Sequence, residues 1–169
     1  NPESTHFILE LLAEYNAKAT FFCLGHNVAE YPAEYKRLLK EGHAVGNHGF
    51  DHIKGWGAKT KDYVANALKA KALIDSKLYR PAYGKMTKRQ FSALKKEGFN
   101  IVFWTLIAYD FDGAFSSEAR QKLLLSKAKS ESNIVFHDSM KALPQLKKDL
   151  PILLKKWSDA GYTFKAIPQ

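Results

Sequence analysis

Along the chain, short apolar runs alternate with longer stretches whose apolar residues recur every three or four positions. The runs Ala19–Leu24, Ala44–Asn47, Leu78–Arg80, Ile101–Leu106, Ile134–His137 and Tyr162–Ile167 are too short for helices and read as buried strands. Ahead of the first, Phe7, Ile8, Leu11, Leu12 and Tyr15 fall on one helical face, with Ser4 or Thr5 as its N-cap. Helical spacing returns at about 33–41, 60–76, 87–97, 116–129 and 149–160. Gly42, Gly98 and Gly161 stand where helices need a left-handed residue to stop, and Pro151 fits the first turn of the last helix.

Strand–helix alternation predicts an α/β architecture of parallel strands joined by right-handed crossovers. No repeat or linker interrupts it, so residues 1–169 read as one domain. A helix comes first and six strands follow, whereas a parallel βα fold opens on a strand. The order therefore predicts a first strand upstream of Asn1.

Composition narrows the picture only a little. With 46% hydrophobic and 25% charged residues, the chain matches an ordinary globular protein with a core. No apolar run reaches the ~18 residues that a membrane span requires, and no basic-then-apolar leader opens the chain. The net charge of +9 has two readings. One is an anionic partner, nucleic acid or a polyanionic cell-wall surface. The other is a solvated lysine-rich surface, with Lys36, Lys40, Lys69, Lys95, Lys96, Lys147, Lys155 and Lys156 spread over the helical segments. No nucleic-acid motif accompanies the charge, so no nucleic-acid partner is expected. Cys23, the single cysteine, lies in an apolar run and reads as a buried thiol without a disulfide.

The chemistry collects where strands end. In parallel βα folds the strand C-termini share the face that carries the active site, so residues scattered from His48 to His137 are expected to converge. The second strand leads into GNHGFDH, which sets His48 and His52 four residues apart, a spacing that can chelate one metal or serve as a structural pair. The third ends in Arg80-Pro81-Ala82-Tyr83-Gly84, where Arg80 can equally form an ordinary salt bridge. The fourth leads to Asp110-Phe111-Asp112, whose first aspartate can also be a turn residue or a helix cap. The fifth ends in His137-Asp138, directly after an apolar strand. His6, His26 and His43 have no partner pattern and are assigned to the surface or the core.

In this order, His-Gly-Phe-Asp-His, Arg-Pro-Ala-Tyr-Gly, Asp-Phe-Asp and Val-Phe-His-Asp resemble the motifs of the polysaccharide deacetylase family, carbohydrate esterase family 4 or NodB-homology domain. The flanks NAKATFFCLGHNV, EGHAVGNH, LYRPAYGK and GYTFKAI are similar to it as well, and the resemblance covers essentially the whole chain. It implies a distorted (β/α)7 barrel of parallel strands, with the first strand missing from this chain. It also implies metal-dependent removal of N- or O-linked acetyl groups from polysaccharides or oligosaccharides of peptidoglycan or chitin type. The ion would be divalent, zinc first, with cobalt, nickel or manganese as alternatives. His48 and His52 would be its ligands. Arg80 would orient the catalytic base, the Tyr83 main-chain N–H would hold the oxyanion, and His137, tuned by Asp110, would be the catalytic acid. Tyr83, Phe111 and Trp56 would offer sugar-stacking faces, with core or rim packing the alternative for Trp56. An exported or cell-envelope location is what the family implies.

The sequence also departs from the family. The Thr-Phe-Asp-Asp-Gly motif, source of the base and a third metal ligand, is absent from it, and on that reading the 169 residues alone release little acetate and bind zinc weakly. Gly49 stands for the usual Ser or Thr, Ala82 for proline and Phe111 for tryptophan, and the first aspartate of the family's fourth motif is not evident near Trp104-Thr105-Leu106-Ile107. The alternative function is a non-catalytic carbohydrate-binding pseudoenzyme.

Overall fold

The computed structural model describes residues 1–169. In chain order its elements are α1 (Pro2–Glu14), β1 (Thr20–Cys23), α2 (Gly25–Glu30), α3 (Pro32–Lys40), β2 (Ala44–Asn47), α4 (Thr60–Lys71), β3 (Leu78–Tyr79), a 3-10 turn (Ala82–Gly84), α5 (Lys88–Lys96), β4 (Asn100–Ile101), β5 (Leu106–Ile107), α6 (Ser117–Lys127), β6 (Ile134–Val135) and α7 (Leu143–Asp159). Every strand pair is parallel, as the alternation predicts. No helix is long and apolar enough to cross a membrane. Contacts divide the chain into two compact units.

One unit takes residues 18–103 and 166–169 and holds a four-stranded sheet in the order β1-β2-β3-β4. Thr20 to Cys23 run opposite Ala44 to Asn47, and Leu78 and Tyr79 opposite Asn100 and Ile101. Gly46 leaves the space beside it to the Phe22 ring of the neighbouring strand: a Cβ there would sit 2.5 Å from that ring. On the sheet, α4 and α5 bury Tyr63, Ala67 and Leu94 with Tyr79 and Phe99. A large apolar side chain so buried contributes about 1.5–3 kcal/mol, which easily outweighs the modest propensities of such short strands. A capping box, Thr87 with Gln90, starts α5.

The other unit takes residues 1–17 and 104–165 and pairs β5 with β6. Its core joins Ala108, Leu124, Leu153 and Trp157. Asn1 caps α1, so Ser4 and Thr5, expected as caps, instead lie inside the helix, where both hydroxyls donate to the Asp138 carboxylate.

Three further expectations are corrected, and one element was not expected. Ile101–Leu106 is not one strand: Val102 N–H bonds back to Tyr79 O beside β3, while Thr105 N–H bonds to Asn133 O beside β6, so the run serves two sheets and breaks between them. Tyr162–Ile167 forms no strand, because side-chain bonds replace a ladder, Ile167 N–H to Thr20 Oγ1 and Gln169 Nε2 to Val45 O. The α2 turn has no counterpart in the sequence reading; with only Gly25 and Val28 buried it is too short to show a period. Pro151 lies inside α7, which begins at Leu143 with Pro144 in its first turn, rather than opening the helix. A buried stripe of Leu146, Leu150, Leu153, Leu154 and Trp157 carries the helix across it.

Candidate active site

β2 ends in Asn47, whose fully buried side chain shapes the loop that follows. Its Nδ2 donates to Ala67 O at 2.9 Å and its Oδ1 accepts from Gly49 N–H at 2.8 Å. Gly49 adopts φ +86°, and a Cβ on it would lie 2.5 Å from Asn66 Oδ1, which accepts from Phe50 N–H at 2.9 Å. The position expected to carry a hydroxyl thus has its space filled by an amide from α4. The loop returns His52 onto His48, with their Nε2 atoms 3.1 Å apart.

His48 Nδ1 lies 2.6 Å from Arg80 O. A carbonyl only accepts, so Nδ1 carries the proton and the neutral ring keeps its lone pair on Nε2, facing His52. Two nitrogens on one tetrahedral zinc, at about 2.0–2.1 Å each, stand roughly 3.3 Å apart, so the pair fits a shared divalent ion with a backbone carbonyl fixing the tautomer behind it. No group of three or more His, Cys, Asp or Glu side chains is arranged to hold a metal, so the pair itself is the donor set that these residues present.

Arg80 is buried where β3 ends, its guanidinium 4.0 Å from the Phe22 ring centroid, and burial pushes its pKa down to about 10. Beyond Pro81 the chain turns sharply: Tyr83 takes φ +58°, a left-handed conformation a side chain resists, and Gly84 follows at +63°. That turn leaves the Tyr83 ring 60% exposed and 4.5 Å from the His52 ring. Trp56 is exposed too, its Nε1 3.4 Å from Met86 O and Lys85 Nζ 4.9 Å over its ring. The buried Gln90 donates to Gly55 O and Ala58 O, bracketing the turn that carries Trp56.

The second cluster follows β5 and β6. Asp110, 1% exposed, accepts from the His137 main-chain N–H at 2.6 Å and from His137 Nδ1 at 2.7 Å. Because the carboxylate holds Nδ1–H, the other ring nitrogen, Nε2, faces outward in a ring 39% exposed. The Phe111 ring stands edge-on to this imidazole at 4.9 Å. Of the residues singled out from sequence, the structure gathers His48, His52, Arg80 and Tyr83 in one cluster and Asp110, Phe111 and His137 in another. Asn47, Asn66, Arg120 and Asp149 went unread. A signal existed for the last two, since Arg120 and Asp149 each sit four residues before a buried leucine, Leu124 and Leu153, on the apolar face of their helix.

Similarity to known proteins assigns the class of this fold and site. The family model for polysaccharide deacetylases matches residues 1–102, and the chain belongs to that family. It is 32% identical over 174 residues to a peptidoglycan-N-acetylglucosamine deacetylase of Bacillus cereus, covering 94% of this chain and 63% of that protein. It is 27% identical to the peptidoglycan-N-acetylmuramic acid deacetylase PdaC of Bacillus subtilis, covering 100% of this chain and 36% of the relative. The crystal structure of the Bc1960 peptidoglycan N-acetylglucosamine deacetylase matches with a TM-score of 0.91 and 28% identity, over 98% of this chain and 80% of that one. The parallel α/β fold expected from sequence is that of these deacetylases.

Proposed function

We propose that the protein hydrolyses acetamido groups on a peptidoglycan-type glycan, with His48 and His52 as ligands of a divalent ion, zinc first. The observation that carries this is the Asp110–His137 pair: a buried carboxylate fixes Nδ1–H and leaves Nε2 to hold a transferable proton. When bound, the ion would supply Lewis-acid polarisation of the acetyl carbonyl. The Tyr83 N–H would donate to the oxygen that gains charge as water adds to the carbonyl carbon. As the C–N bond breaks, the nitrogen takes the proton from His137 Nε2, and acetate and a free amine leave. Protonation is essential there, because an amide anion is too poor a leaving group. The resemblance assigns the water's proton to a carboxylate of the Thr-Phe-Asp-Asp-Gly motif, and Arg80 to orienting it. Tyr83, Trp56 and Phe111 present ring faces on which a sugar can stack.

Acetate release and metal content, measured together on the full-length protein with an N-acetylglucosamine polymer, test the reading. His48→Ala and His52→Ala should lose zinc and activity in parallel. His137→Ala should keep its zinc and lose about 10²–10⁴-fold in rate. Unchanged zinc in the double histidine variant, or a near-normal rate in His137→Ala, would overturn the assignment. Glycan binding with no acetate release from the unaltered protein would favour the pseudoenzyme.

A further inference from the structure

Asp110, which holds His137, lies on a loop with no regular structure, residues 109–115, and something must hold that loop still. Arg120 of α6 lies behind it, 1% exposed. Its Nη2 reaches three carbonyls of that one loop, Phe115 O at 2.8 Å, Tyr109 O at 3.3 Å and Asp112 O at 3.4 Å. Its Nη1 donates to Asp149 Oδ2 of α7 at 2.6 Å, and Asp149 is itself 1% exposed. The other oxygen of Asp149 accepts from Ser117 Oγ and from Gln121 Nε2. Tyr109, whose carbonyl the fork takes, has φ +55° and directly precedes Asp110.

A buried ion pair is a poor device for stability, since desolvating both charges offsets most of their attraction and apolar side chains of similar volume serve as well. What a guanidinium does and leucine cannot is fix several carbonyls at once with one rigid planar fork. We infer that Arg120, anchored by Asp149, is a positioning residue for the deacetylase reaction: it holds the 109–115 loop so that the Asp110 carboxylate meets both N–H groups of His137. The inference rests on the proposed role of His137, but the juxtaposition it explains is measurable without turnover.

The test replaces the pair by apolar side chains, Arg120→Met with Asp149→Leu, and separately makes Arg120→Lys, which keeps the charge and loses the fork. Three quantities are read on the full-length protein: the thermal midpoint, the low-field proton resonance of His137 Nδ1–H bound to Asp110, and kcat and KM for acetate release. The double variant should melt below the wild-type midpoint, because the loop carbonyls, Ser117 Oγ and Gln121 Nε2 lose their partners, and it should lose or broaden the resonance. Its kcat should fall about 10²-fold at little-changed KM, the scale of a small misplacement made away from the chemistry. Arg120→Lys should move resonance and kcat the same way by a smaller factor, and it decides the matter if the double variant does not fold. A retained resonance with wild-type kcat in either folded variant would overturn the inference. A lost resonance with wild-type kcat would uphold the clamp and instead remove His137 from the proposed mechanism, so the two failures are distinguishable.

Discussion

His43 is the buried histidine that lies outside both clusters. Its Nδ1 accepts from the Ala19 main-chain N–H at 3.2 Å, and its ring packs edge-on against Phe21. Protonation would put a second N–H on Nδ1 facing the first, breaking that bond and charging a desolvated ring. Burial, reinforced by nearby Lys18, pushes its pKa below the ordinary value, with Glu41 opposing more weakly. The sign follows from linkage. The unfolded chain takes up this proton at a higher pH than the folded one, so stability rises with pH wherever the two states differ. The contribution is fully present above the unfolded value of about 6.5 and is lost as pH falls towards the lower folded value. Urea unfolding between about pH 5 and 8 should therefore show an acid-side loss that disappears in His43→Gln, with a slope of at most about 1.4 kcal/mol per pH unit. An identical pH profile for the two proteins would mean that His43 titrates alike folded and unfolded.

At the scale of elements, α7 holds the clearest conflict between local preference and tertiary packing. Pro151 offers no N–H to the Lys147 carbonyl and its ring crowds the preceding turn, a cost of about 3 kcal/mol against alanine in a helix interior. The buried leucines and Trp157 on either side outweigh it, at about 1.5–3 kcal/mol for each fully buried side chain. Pro151→Ala should therefore stabilise the protein by about 2 kcal/mol, once the extra freedom of the unfolded chain is subtracted. The thermal midpoint should rise by roughly 4–8 °C. An unchanged or lowered midpoint would show that the helix is already relaxed around the proline. The same residue explains one limit of the sequence reading: taken as a helix start, Pro151 shortens α7 by six to eight residues, because the contacts that override it come from α6 and cannot be read locally. Where burial and period agree, as in β1, β2 and α5, the boundaries fall within a residue or two of expectation. Where a run changes partners, as at Val102–Thr105, pattern alone has no means to mark the break.

For the molecule as a whole, the candidate residues were picked out because they follow the ends of apolar strands, and the structure pairs His48 with His52 and Asp110 with His137. Arg120 and Asp149 were harder to read, since charged side chains on amphipathic helices normally face water, and only their four-residue spacing to Leu124 and Leu153 marks them as lying on the buried face. The same rule leaves the remaining lysines in solvent, and their excess gives the net charge of +9. Such a field acts on a polymer before any specific contact forms. Peptidoglycan carries carboxylates on its peptide stems, whereas chitin oligomers carry no charge. If the basic surface recruits the substrate, kcat/KM on the anionic polymer should fall about tenfold as ionic strength rises from ~0.01 M to ~1 M, where the screening length shrinks from about 30 Å to about 3 Å. On a neutral N-acetylglucosamine oligomer the same salt series should change little, which separates recruitment from any effect of salt on the reacting groups. Parallel salt curves for the two substrates would show that the lysines solvate the surface and take no part in choosing the glycan.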